Sequence, residues 1–163
     1  MAAAILAALA LGLPGAGARA QEELVETIGA WTVECHQTEA GGRECRLRND
    51  EDGRPALEQT RLLSFTLHDG RNEAEGLLRI PDLELPRRLR VELVLGGEIL
   101  TIEGVGRRGR RAARFAMPRP ELPAIAAADS VAVRFTDAQG QHHELAIPAE
   151  GLVEALAAAD GFL

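Results

Sequence analysis

The sequence has no tyrosine, and its 18 basic residues are all arginine, with no lysine. Serine occurs only at Ser64 and Ser130, and cysteine only at Cys35 and Cys45. That inventory leaves little for hydroxyl, phenol or amine catalysis. Aromatic residues make up 3% of the chain, one tryptophan and four phenylalanines, so stacking platforms for single-stranded nucleic acid are scarce. Positive charge is also in deficit. The net charge is −7 at pH 7, which disfavours binding nucleic acid or anionic lipid over the whole surface. What the chain does have is a 46% apolar and 26% charged composition over 163 residues, enough for one compact domain and not for two.

The first twenty residues, MAAAILAALALGLPGAGARA, read as a secretory signal. A short apolar stretch, Ala2 to Leu13, is broken by Pro14 and Gly15, and Ala18-Arg19-Ala20 forms an A-x-A cleavage pattern before the polar Gln21. The stretch is shorter than the ~20 residues that span a bilayer. No second long apolar stretch follows, so the mature chain is expected to carry no membrane span. Export makes a disulfide the default for Cys35 and Cys45, which flank Gly41-Gly42 as the arms of a hairpin would. A metal pair or a redox pair is the alternative, and the spacing favours neither. Closing so short a loop would stabilise by roughly 3 kcal/mol on chain-entropy grounds.

Beyond the signal, apolar residues alternate. Trp31, Val33 and Cys35 fall on one face, as do Leu63, Phe65 and Leu67, then Leu89, Val91, Leu93 and Leu95. Gly96-Gly97 marks a tight hairpin into Leu100 and Ile102. Ala113, Phe115 and Met117 alternate, as do Val131, Val133 and Phe135. After a turn over Asp137 to Gly140, His143, Leu145 and Ile147 run back. This period of two predicts eight or nine strands with one wet face. Polar loops are expected over Asn49 to Pro55 and Asp69 to Glu75. Glu121 to Ala128 suits a short helix. Ala149 to Asp160 suits a second, opened by Pro148 and ended by Gly161.

Catalytic motifs are scarce. Ser64 falls mid-strand, and Ser130 opens a strand outside any nucleophile elbow. His142 and His143 are adjacent on a strand and point to opposite faces, so they cannot share a metal ion. Paired carboxylates for a hydrolase are available by number, but most acids read as a solvated surface. The one charge anomaly is Arg107-Arg108-Gly109-Arg110-Arg111, continuing to Arg114 and Arg119. Arg107, Arg108, Arg110, Arg111 and Arg114 are the candidate patch for a phosphate-bearing or sulfated ligand; a solvated turn is the plainer reading.

Ile28-Gly29-Ala30-Trp31-Thr32-Val33-Glu34-Cys35, then Cys45-Arg46-Leu47, resembles the opening of the invasion-associated locus B family. Leu77 to Pro81 resembles that family's strand into a proline turn, and Val131 to Gly140 with Ile147 to Leu156 its closing hairpin and helix. Ala30 stands where the family has Asp, and a second cysteine pair common among members is missing, so the chain looks like a divergent member. The resemblance implies an exported, β-rich protein of Gram-negative bacteria with no established catalytic reaction. Some relatives are linked to invasion of host cells.

The expectation is a mainly β fold: residues 1–20 a signal peptide, and 21–163 a single antiparallel β-sandwich-like domain with one short helix and a C-terminal helix. Cys35 and Cys45 form the staple and Trp31 is a core anchor. The protein is expected to be periplasmic or secreted to the outer surface and non-enzymatic, with no cofactor and no metal. Its partner is an unidentified protein or glycan at the cell envelope, not nucleic acid. A small-ligand carrier with a pocket between its sheets is the alternative, and a two-carboxylate envelope hydrolase a more distant one.

Overall fold

A computed structural model describes residues 23–50, 62–106 and 111–163. The expected signal over residues 1–20 lies outside the described residues, as does most of the polar loop at Asn49 to Pro55. Among the described residues ten strands form one sheet. The first five are β1 (Glu23–Ile28), β2 (Trp31–Gln37), β3 (Arg43–Asp50), β4 (Leu62–His68) and β5 (Glu73–Arg79). The rest are β6 (Arg88–Leu95), β7 (Glu98–Gly106), β8 (Ala112–Pro118), β9 (Val131–Thr136) and β10 (His142–Ile147). Their spatial order is β1-β2-β3-β4-β5-β8-β7-β6-β9-β10, and neighbouring strands pair antiparallel.

Period-two burial is the reason for the strands. Trp31, Val33 and Cys35 are buried from β2, Leu63, Phe65 and Leu67 from β4, Leu89, Val91 and Leu93 from β6, and Ala113, Phe115 and Met117 from β8. The inward faces of strands far apart in the sheet share one core cluster. A sheet of ten strands can do that only by curling back on itself, which its twist favours. The result is the expected mainly β, sandwich- or barrel-like domain. Gly96 and Gly97 turn the β6–β7 hairpin with φ of 59° and 132°, both in the region that favours glycine.

Two strand assignments differ from the sequence expectation. β1 alternates poorly: Leu24 and Ile28 are half-buried, and Val25 is 62% exposed. An edge strand buries little, so its pattern is faint. β5 begins at Glu73, inside the expected loop, because its inward residues there are the small Ala74 and Gly76. A Cβ on Gly76 would stand 1.9 Å from the Phe115 ring, so glycine is the space that phenylalanine fills.

A 3-10 turn (Arg119–Glu121) leads into α1 (Leu122–Ala126), as expected. The C-terminal helix α2 runs over Leu152–Phe162 rather than from Pro148. Gly151 precedes it in the left-handed region at φ 83°, and Pro148 belongs to the connector. Gly161 lies within the last turn and does not end the helix. Leu152, Ala155, Leu156 and Ala159 are the buried stripe of α2, which covers β2 and β3. No helix among the described residues is long and apolar enough to cross a membrane.

Candidate functional site

Cys35 and Cys45 are directly paired in the β2–β3 register, with Cα atoms 4.0 Å apart, and their sulfurs are bonded. The bridge lies on the core face, both residues being 1% exposed or less. Cys45 Sγ lies 3.6 Å from the Ala159 carbonyl oxygen, so α2 sits directly over it. Trp31 is fully buried and stacks on Phe65 at 6.1 Å between ring centroids, and Phe65 meets Phe115 edge-on at 6.4 Å. Three of the five aromatic side chains thus form one chain through the core.

The β1–β2 turn clasps the β10–α2 connector. Trp31 Nε1 donates to the Pro148 carbonyl at 2.9 Å, and Ala30 N donates to the Glu150 carbonyl at 3.1 Å. The buried Asn49 amide donates to the Ala30 carbonyl at 2.9 Å. A Cβ on Gly151 would stand 2.2 Å from the Ile28 carbonyl oxygen. These contacts are structural; they bring no nucleophile or base together.

Two histidines meet partners at the β9–β10 turn, and a third, His68, has its Nδ1 3.5 Å from Glu44 Oε2. His142 is exposed and its Nδ1 lies 3.0 Å from Thr136 Oγ1, while His143 Nε2 lies 2.7 Å from Asp137 Oδ2. The two rings are on opposite faces, as alternation requires. Asp137 Oδ1 also accepts from the backbone N–H groups of Gln139 and Gln141 at 2.9 and 2.8 Å. Its hydrogen bond to His143 holds its carboxyl below the ordinary carboxylate range. Burial opposes this, and the two backbone donors reinforce it. Asp137 is the one buried carboxylate among the described side chains, so no second buried acid joins it to make a hydrolase pair there. No group of three or more potential metal ligands occurs among the described residues.

A cavity of about 470 Å³ lies between α1 and α2, lined by Leu67, Leu122, Pro123, Ala126, Val153 and Leu156 among others. Arg119 and Asp160 also line it and pair with each other. The sheet's inward faces carry the aromatic chain and its aliphatic neighbours, which form one buried cluster.

Of the candidate arginine patch, Arg107, Arg108 and Arg110 lie outside the described residues. Arg111 and Arg114 are exposed, and Arg114 points outward from β8. The structure adds arginines that the sequence cluster does not contain. Arg79 lies on the outward face of neighbouring β5, and Arg87 and Arg88 lie at the start of β6. They are 19 or more positions away along the chain, so no local pattern reveals them. The signal is strand pairing.

The sequence matches no protein-family model, and no curated protein is a significant sequence match. The fold, however, is similar to the crystal structure of invasion associated protein B from Bartonella henselae. The TM-score is 0.61 at 20% identity, covering 85% of this chain and 95% of that one. At that identity the likeness is one of fold, and it falls on the same family that the Trp31, Cys35 and Cys45 opening resembles.

Proposed function

We propose that this chain is an exported, non-enzymatic protein of the bacterial envelope or surface, of the kind of invasion associated protein B, and that it acts by binding a partner. The observation that carries the reading is the shared fold over nearly the whole length of both chains. The signal-like residues 1–20 and the Cys35–Cys45 bridge support export, since such bridges persist in oxidising compartments. The scarcity of nucleophiles and the structural employment of Trp31, Cys35 and Cys45 support a binding role over catalysis. A part in host-cell interaction follows only from the name of the similar protein.

Fractionation of the producing cells with protease shaving tests this. The expected product begins at Gln21, resists thiol reagents, and sits in the periplasm or on the surface. Digestion in intact cells places it outside and makes a host or matrix partner the one to seek. Protection until the outer membrane is opened places it in the periplasm and favours an envelope role. An unprocessed cytosolic chain with two free thiols overturns the proposal.

A further inference from the structure

The outward face of the sheet carries a row of residues set by register. Arg88 on β6 pairs with Val105 on β7, Val105 with Arg114 on β8, and Arg114 with Leu77 on β5. Arg79 pairs with Ala112, which puts it diagonally beside Arg114, roughly 7–8 Å away. The Arg111 carbonyl accepts from Ile80 N at 2.8 Å, and the Arg87 carbonyl from Gly106 N at 3.1 Å, so both residues border the same end of these strands. Three separate segments therefore bring Arg79, Arg88 and Arg114 to one face, with the exposed Arg87 and Arg111, of opposite alternation, at its border.

Arginines elsewhere on the outward face are neutralised. Arg46 pairs with Glu44, Arg48 with Glu34, Arg90 with Glu103 and Arg134 with Glu144. The five patch arginines have no carboxylate within ion-pair distance among the described residues. Acids are not scarce, with 25 in the chain against 18 arginines. Gathering unpaired like charges raises the energy of the free protein unless an external anion neutralises them. At the middle of the patch Val105 is 62% exposed and Leu77 half-buried.

The shape selects among anions. The patch is a strand face rather than a cleft, which suits an extended array of charges over a small ion. The one aromatic of the neighbouring strands, Phe115, is turned into the core at 4% exposed, so no base can stack there. An exposed aliphatic side chain flanked by arginines on both neighbouring strands is a composition that suits a lipid interface. We infer that this face docks peripherally on an anionic phospholipid surface, with the arginines on headgroup phosphates and Val105 against the interface. The inference stands on the face itself and does not depend on the export proposed above.

Sedimentation of the purified protein with vesicles tests it. Binding is expected to phosphatidylcholine vesicles containing phosphatidylglycerol and not to phosphatidylcholine alone, and it should fall as salt is raised. Each surface arginine is worth on the order of fivefold in partitioning, so Arg79→Gln with Arg114→Gln should weaken it about 25-fold. Val105→Asp should weaken it as well. Arg90→Gln with Arg134→Gln, which removes two paired arginines, should leave it within about twofold. If the first double variant fails to fold by circular dichroism, Arg88→Gln alone should still weaken binding. Absence of binding to the anionic vesicles overturns the inference, as does equal loss in the control variant. Retention on heparin without vesicle binding also overturns it, and assigns the patch to a sulfated polysaccharide instead.

Discussion

The indole nitrogen of Trp31 donates a hydrogen bond to the carbonyl oxygen of Pro148, 117 positions away in the chain. That one contact ties the entrance to β2 to the exit from β10, so the two ends of the curled sheet are held across the core. Trp31→Phe keeps much of the stacking on Phe65 but leaves the Pro148 carbonyl without its donor. It should cost about 1–3 kcal/mol. Trp31→Ala should cost about 3–5 kcal/mol, because it also empties a fully buried volume. Urea unfolding followed by circular dichroism separates the two, and a negligible cost for Trp31→Phe would show that the hydrogen bond contributes nothing.

Cys35→Ala with Cys45→Ala should lower stability by about 2–4 kcal/mol under oxidising conditions. Reductant should lower the stability of the parent by the same amount and leave the variant unchanged. A parent insensitive to reductant would mean that the bridge is absent from the folded protein.

Glycine substitutions should divide by surroundings. Gly76→Ala forces the Phe115 ring to move and should destabilise by about 1–3 kcal/mol. Gly161 has nothing within 4 Å of an added Cβ and lies in a helical turn. Gly161→Ala should therefore stabilise by about 0.5–1 kcal/mol. Thermal denaturation checks both signs, and destabilisation by Gly161→Ala would return that residue to the role of helix terminator.

Asp137 links stability to acid. Its carboxyl is held below the ordinary value of 3.8, chiefly by the hydrogen bond from His143. The folded state therefore favours the charged form. Its contribution is complete above the unfolded value and is lost as pH falls through the lower folded value. Asp137→Asn should flatten the acid limb of a stability profile measured from pH 5 downward. An unchanged limb would mean that other carboxylates carry the acid sensitivity.

Much of the architecture is legible in the sequence, because a buried sheet face imposes period two on its own residues. Trp31, Val33 and Cys35, or Leu63, Phe65 and Leu67, show their strands without any partner in view. The hairpins at Gly96-Gly97 and Asp137 to Gly140 are equally local, as is the pairing of Cys35 with Cys45 across a short turn. The strands that escape are those whose inward positions are small or barely buried. In β5, Ala74 and Gly76 leave room for Phe115, and in β1 the edge position asks for little burial.

What depends on tertiary structure is everything set by strand order. The sheet places β8 beside β5 and β6 beside β9, which no neighbouring residues announce. That order puts Arg79 beside Arg114, Trp31 against Pro148, and a cavity between α1 and α2. Alternation is a property of one strand against water. Juxtaposition is a property of pairs of strands closing a common core, and the energy that selects it is spread over residues distant in the chain.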